Sequence, residues 1–398
     1  MDPIEKEKPT NYVPLSEPTL NGLATRSSYV SDASLHEATK GAPMPSVNTR
    51  SKNPLKRLSK KQRIIILLVL LLIAGAAGYF IFIKKDSQTQ NTVSQQTAPE
   101  KPQVPTSPLT GRQVASAEIA ARPVTGVMIE NSPDSRPQSG LYQADVVYEA
   151  IAEGGVTRFL AAYQESTPDK IGPIRSTRPY YVDFIAGLDG SLAHVGGSPE
   201  ALQDIKTLGI KDLDEFFNPK AYTRIPSRAA PHNVYSDFSR FDALNKEKGY
   251  TTSKFTPLER KEDVAQTPTA ANISFTMSGP TYNPQFSYDA TTNSYLRSQA
   301  GAPHNDEQTG KQINPKVVIA LITNKAYDPD GYHTAYTTTG SGKALIFQDG
   351  IVSEGVWNKP DRKASLQISD SNNLPMKLNV GQTWITAVGT ADDVRYSL

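Results

Sequence analysis

Residues 144–164 read ADVVYEAIAEGGVTRFLAAYQ, two β-favouring runs meeting at Gly154 and Gly155. Consecutive glycines tolerate the positive φ of a two-residue hairpin turn, so the stretch predicts a β-hairpin. A simple two-residue loop sets Glu153 opposite Val156, Ile151 opposite Arg158 and Glu149 opposite Leu160. Side chains alternate with period two. One face then carries Val146, Tyr148, Ala150, Ala152, Thr157, Phe159, Ala161 and Tyr163 for the core, and the other carries Asp145, Glu149, Glu153 and Arg158. Such a charged face is either solvated, its ion pairs weak, or the lining of a polar cleft.

Working outward, PVTGVMIEN at 123–131 suits another strand, and SLAHVGGS at 191–198 a strand running into a glycine turn. That turn precedes a helix and offers backbone amides to an anion, although it lacks the spacing of a phosphate loop. Helices are expected at 179–188, at 199–208 with Ser198 as N-cap, and at 237–248 with Ser236 as N-cap and Gly249 ending it. Beyond about residue 265 short strands take over, with an Asp-Gly hairpin at Asp349 and Gly350. The fold class is therefore α+β: an N-terminal α+β domain over 108–262, then a smaller, mainly β domain over 263–398.

Upstream, residues 64–83 (IIILLVLLLIAGAAGYFIFI) are twenty uncharged positions. At about 1.5 Å per residue they match a hydrocarbon core of about 30 Å, predicting one transmembrane helix and a lipid bilayer as partner. Arg50, Lys52, Lys56, Arg57, Lys60, Lys61 and Arg63 precede it, and only Lys84, Lys85 and Lys101 follow closely. The N-terminus is thus expected in the cytoplasm and the bulk of the chain outside. Residues 1–63 read as a disordered cytoplasmic tail and 84–107, rich in Gln, Thr, Ser and Pro, as a linker.

There is no cysteine, which removes disulfides, thiolate nucleophiles and thiolate metal sites. Residues 108–398 carry 28 Lys and Arg against 32 Asp and Glu. That balance argues against a nucleic-acid partner, which needs a basic surface to neutralise phosphates.

Several motifs together resemble the bacterial YerB-like family, domain of unknown function 3048, in its N- and C-terminal halves. They are RPQSG at 136–140, YEAIAEGGVTRF at 148–159, KIGPIRSTRPYY at 170–181, HVGGS at 194–198, APHN at 230–233, PHND at 303–306, GSGKALIFQDG at 340–350 and GQTWI at 381–385. The resemblance covers roughly 108–396 and implies an extracytoplasmic, envelope-facing protein with two globular domains; it implies no reaction. Family members are typically anchored as lipoproteins, whereas this chain has no cysteine to carry a lipid and offers residues 64–83 instead.

The motifs concentrate groups fit for acid/base or anion chemistry. Candidate catalytic residues are Glu149, Glu153 and His194; candidate ligand-binding residues are Arg136, Arg158, Arg175, Arg178, Arg228, His232 and Asn233. Arginine offers bidentate donors to carboxylate or phosphate, while Glu and His move protons near neutral pH. A carboxylate pair suits glycoside cleavage, yet Glu149 and Glu153 in an extended strand stand about 13 Å apart at Cα, far for a retaining pair. His194, His232, His304 and Asp306 lack the spacing of a helical zinc site, so neither metal nor other cofactor is expected, and His304 with Asp306 reads as ordering a loop. Three readings stay open: an envelope protein binding an anionic wall polymer or other envelope ligand, a peptidoglycan-cleaving glycosidase or lytic transglycosylase using Glu149 or Glu153, and a structural partner of another envelope protein.

Overall fold

The glycine turn forms as the sequence predicts, with Gly154 at φ 56° and Gly155 at φ 78° between strands Val146–Glu153 and Val156–Tyr163. The pairing above it does not follow the simple count. Glu153 faces Val156, but a β-bulge between Ile151 and Glu153 shifts the register so that Ile151 faces Thr157, Ala150 faces Arg158 and Glu149 faces Phe159. One extra residue on one strand reverses the facing of everything beyond it. The expected single charged face is therefore corrected: Glu149 lies with Phe159 on one side of the sheet, and Glu153 with Val156 and Arg158 on the other. Nor is either side solvated, since Glu149 and Arg158 are both buried.

This computed structural model describes residues 59–86, 104–264, 266–328 and 330–398, and in the first helix the side chains of residues 60, 61, 64–75 and 79. Of the tail expected over 1–63 only 59–63 are described, and of the linker expected over 84–107 only 84–86 and 104–107; residues 60–63 and 84–86 are helical. The chain divides into two units, one ending at Gln96 and one running from Thr97 to Leu398. In the first, Lys60–Asp86 forms a 27-residue helix, α1. Among the residues whose side chains are described, which in this helix stop short of its full apolar run, no helix is long and apolar enough to cross a membrane.

In the second unit the strands of the two larger sheets are β1 (Thr125–Glu130), β2 (Val146–Glu153), β3 (Val156–Tyr163), β4 (Ser191–His194), β5 (Lys211–Asp214), β6 (Asn272–Phe275), β7 (Pro284–Asp289), β8 (Ser294–Gln299), β9 (Ala302–Pro303), β10 (Val317–Ile322), β11 (Gly340–Gln348), β12 (Ile351–Lys359), β13 (Gln367–Ser369), β14 (Thr383–Val388) and β15 (Val394–Ser397). Ten of them make one sheet in the order β13-β12-β11-β10-β14-β2-β3-β1-β4-β5. Five make a second, β9-β8-β7-β6-β15. Strands from both sides of the expected 262/263 boundary thus enter one sheet, because β14 pairs in parallel with β2 from Val146 to Glu149. They also share a hydrophobic core that runs from Leu109 to Val394.

Covering one face of the large sheet are α2 (Pro179–Ala186) and α3 (Pro199–Leu208). Phe184 of α2 stacks on Tyr148 at 4.6 Å, and the Tyr181 hydroxyl donates to the carbonyls of Ala150 and Arg158 at 3.0 and 2.6 Å. On the opposite face the second sheet packs through Phe286 against Trp384, and α4 (Phe238–Glu247) through Phe238 against Tyr163. Ser198 caps α3 as expected, its hydroxyl accepting from the Ala201 amide. For α4 the cap is corrected from Ser236 to Asp237, whose carboxylate accepts from the Arg240 amide at 2.9 Å. Ser236 instead donates its hydroxyl to the Ala221 carbonyl at 2.6 Å.

Candidate functional site

The candidate site residues sort into four polar clusters around the ends of β1, β2, β3 and β4. The first lies between the two sheets. Arg297 of β8 forms a two-oxygen pair with Glu149 through Nη2 at 2.9 and 3.1 Å, and both side chains are fully buried. The guanidinium lies among the rings of Phe159, Phe286 and Trp384, and the Trp384 indole N–H donates to Glu149 at 2.9 Å. Its Nη1 donates to Gln299 at 2.8 Å and to His304 Nδ1.

Burial first, then the positive charges of Arg297 and Arg136, push the His304 imidazole well below its ordinary value, so the ring is neutral. Its protonated Nε2 donates to Gln138 at 2.7 Å, and Gln138 in turn donates to Asn131 and the Glu130 carbonyl. His304 therefore belongs to this cluster, a correction to its expected pairing with Asp306. Asp306 alone orders its loop, accepting from the amides of Gln308 and Thr309 at 3.0 Å each.

Glu153 centres a second cluster on the other face. Arg158 and Arg178 each donate to one of its oxygens at 2.5 Å, while their remaining Nη groups hold the Ser176 and Thr177 carbonyls at 2.8 and 2.7 Å. Burial raises the Glu153 carboxyl, but the charges and hydrogen bonds of the two arginines outweigh it and hold the group below the usual carboxylate range. Glu149 and Glu153 are thus on opposite faces and each is committed to arginine.

His194 makes a third cluster and is wholly buried. Its Nδ1 lies 2.8 Å from the Gly196 carbonyl and its Nε2 3.0 Å from Asp212. The Gly196 amide donates to Asp214 at 2.9 Å, so the glycine turn that offered amides to an anion spends this one internally. None of Glu149, Glu153 and His194 shares a hydrogen bond or ion pair with another.

The fourth cluster opens to solvent at the carboxyl ends of β1 and β4, two parallel neighbours. This is where ligands enter open sheets with parallel strands. Glu130, the last residue of β1, is 3% exposed and gathers Arg175 at 3.2 Å, His232 Nδ1 at 2.9 Å and the Ser132 hydroxyl at 2.9 Å. The Arg175 side chain is 28% exposed, and among the described residues nothing hydrogen-bonds its two Nη groups. Arg228 beside it is spent on the carbonyls of Asp134 and Pro137 at 3.0 and 2.7 Å, and on Glu307. Arg136 holds Asn131 and the Thr281 carbonyl, and Asn233 receives a long 3.4 Å contact from Arg224.

Arg175 and His232 thus come together, but on a glutamate that sequence reasoning did not single out. Its signal was a carboxylate closing an apolar strand just before Asn131 and Ser132. Arg297 and Trp384 were missed because their partner lies 148 and 235 residues away in sequence. Among the described residues no three His, Asp or Glu side chains are grouped to hold a metal ion.

Residues 109–251 match the N-terminal domain of DUF3048, described as a protein of unknown function, and residues 273–385 match its C-terminal domain. The chain belongs to the DUF3048 family. Among its relatives is the putative lipoprotein YerB of Bacillus subtilis strain 168, 33% identical over 294 residues, which are 72% of this chain and 86% of the relative. The crystal structure of Bacillus subtilis YerB superposes with a TM-score of 0.67 at 29% identity, covering 74% of this chain and all of that one. The family fold is accordingly α+β, mostly β with few helices.

Proposed function

We propose that the chain is a membrane-held envelope protein, its N-terminus cytoplasmic and its family domains outside, and that the crevice of Arg175 and His232 binds an anionic group of a wall or envelope ligand. The anchor in this reading is α1. It contains all twenty uncharged residues of 64–83, and Ile64, Leu67, Leu70, Leu71 and Leu72 are each more than half exposed, as lipid-facing side chains are. A relative named a putative lipoprotein supports the same compartment.

The observation that carries the binding reading is the orientation of Arg175. Its Nε lies 3.2 Å from buried Glu130 as an ion pair without a hydrogen bond, and among the described residues nothing hydrogen-bonds its two Nη groups. That leaves a two-pronged donor, drawn to this position by the Glu130 charge, for carboxylate or phosphate. The cleaving alternative loses its paired carboxylates, because Glu149 is fully buried on one face and Glu153 is held by two arginines on the other.

Retention of the full chain, in detergent micelles, on isolated cell-wall sacculi tests the reading. Binding that falls at least about tenfold in Arg175→Ala, for the loss of a charge-assisted pair, supports it. Equal retention of that variant overturns it. Digestion of the family domains by protease added to intact cells is expected; their full protection would overturn the topology.

A further inference from the structure

β5 is one edge of the ten-stranded sheet, and the turn that follows it displays apolar surface for which the core has no use. Phe216 and Phe217 stand there side by side, 68% and 79% exposed. Single apolar side chains are ordinary at a surface, whereas adjacent large ones held in water mark a place of contact.

The turn itself is firmly built. The carboxylate of buried Asp214 accepts from the Gly196 amide at 2.9 Å and from the Phe216 amide at 3.3 Å. Its carbonyl accepts from the amides of Phe217 and Asn218 at 3.1 and 3.0 Å and from the Asn218 side chain at 2.8 Å. The Phe216 ring lies over Gly196, where a β-carbon would meet it at 2.9 Å. A fixed backbone therefore points both rings outward.

Beside Phe217 the surface dips into a hollow of about 420 Å³ between this turn and α4. Pro219, Ala243 and Leu244 give it apolar walls, and Lys220 and Arg240 meet there with one carboxylate, Glu247. Arg240 lies 3.4 Å from Asp237 and donates to Thr223, but Lys220 has no hydrogen bond or ion pair among the described residues. Exposed rings with an unpaired lysine beside them suit the boundary zone of a bilayer, where rings bury apolar area and lysine meets headgroup phosphates. The choice of lipid over a protein partner rests on the membrane-held reading given above. A chain anchored through α1 meets a bilayer at a high effective concentration that no free partner matches.

We propose that the Phe216–Phe217 turn is a second membrane contact, both rings entering the headgroup boundary of an anionic bilayer and Lys220 lying against headgroup phosphates.

The chain has no cysteine, so one introduced thiol carries a label at one place. The full chain with Phe217→Cys, bearing a nitrobenzoxadiazole dye, is reconstituted into vesicles of phosphatidylglycerol and phosphatidylcholine with and without nitroxide-labelled lipid. The dye should emit brighter and further to the blue than in detergent-free buffer, and nitroxide lipid should quench it. Leu374→Cys is the control, since Leu374 is 62% exposed in the turn after β13, the opposite edge of the sheet. Ten strands at ~4.8 Å spacing put the two edges about 40 Å apart, so the dye at 374 should stay unquenched. Lys220→Glu, added to Phe217→Cys, reverses one charge near the surface and should lower the ratio of docked to free turns about fivefold or more. Tyr79→Cys, within α1, reports the anchor separately. Quenching at 79 without quenching at 217 overturns the proposal and leaves the rings to a protein partner, as does equal quenching at 217 and 374 or full docking in Lys220→Glu. Quenching at 217 alone would uphold the contact and overturn the anchor, and with neither position quenched both readings fall.

Discussion

Two arginine–glutamate pairs in this chain have the same chemistry and opposite prospects. Arg297 and Glu149 are both fully buried, and both Nη groups of Arg297 are committed, to Glu149, Gln299 and His304. Arg175 meets an equally buried Glu130, yet its own side chain reaches solvent with both Nη groups to spare. The first pair joins the two family segments across the sheets; the second, in the reading proposed above, serves a ligand outside the chain. Position relative to water, and not residue type, separates a structural cross-link from a binding group.

The largest test of that contrast is Glu149→Ala. It strands Arg297 as a buried, uncompensated cation among Phe159, Phe286 and Trp384, and should lower stability by about 3–5 kcal/mol in urea unfolding. A loss under ~1 kcal/mol would mean that the cross-link contributes little to the fold.

His304 sharpens the comparison through pH. Its folded pKa is depressed well below 6.5 by burial and by Arg297. The unfolded chain therefore takes up a proton first as pH falls below about 6.5, and stability drops by up to ~1.4 kcal/mol per pH unit. Asp145 acts in the opposite sense. Burial raises its carboxyl to about 7, so its contribution is full below about 3.8 and lost as pH rises towards 7. The difference between the native chain and His304→Gln isolates the histidine, and that difference should shrink steadily from pH 6.5 downward in denaturant titrations.

Arg175→Ala should leave stability within about 1 kcal/mol, because His232 and Ser132 still serve Glu130, while wall retention falls. Smallest of all is Lys343→Ala. Its 2.6 Å pair with Glu354 is 43% and 69% exposed, and removal should shift the unfolding midpoint by no more than about 0.5 kcal/mol.

Much of the fold is legible from local chemistry. Gly154–Gly155 and Asp349–Gly350 make their hairpins because few other residues adopt consecutive positive φ angles. Ser198 caps α3 because its hydroxyl reaches an amide three residues on. The bulge between Ile151 and Glu153 was not legible, since nothing in IAEGG marks an extra residue. Missing it placed Glu149, Glu153 and Arg158 on one face, which suggested a carboxylate pair. The candidate site was half legible: Arg175 and His232 stood out as motif residues, whereas Glu130 did not.

By itself the sequence determined the family, the α+β class, the two hairpin turns and the α3 cap, because each depends on residues within a few positions of one another or on a shared motif. Only the tertiary structure decided that β14 lies beside β2, that Arg297 rather than Arg158 pairs with Glu149, and that Arg175 is the arginine left with donors to offer. Burial and ion pairing are set by residues more than a hundred positions apart in the chain, and no local pattern encodes which of them will meet.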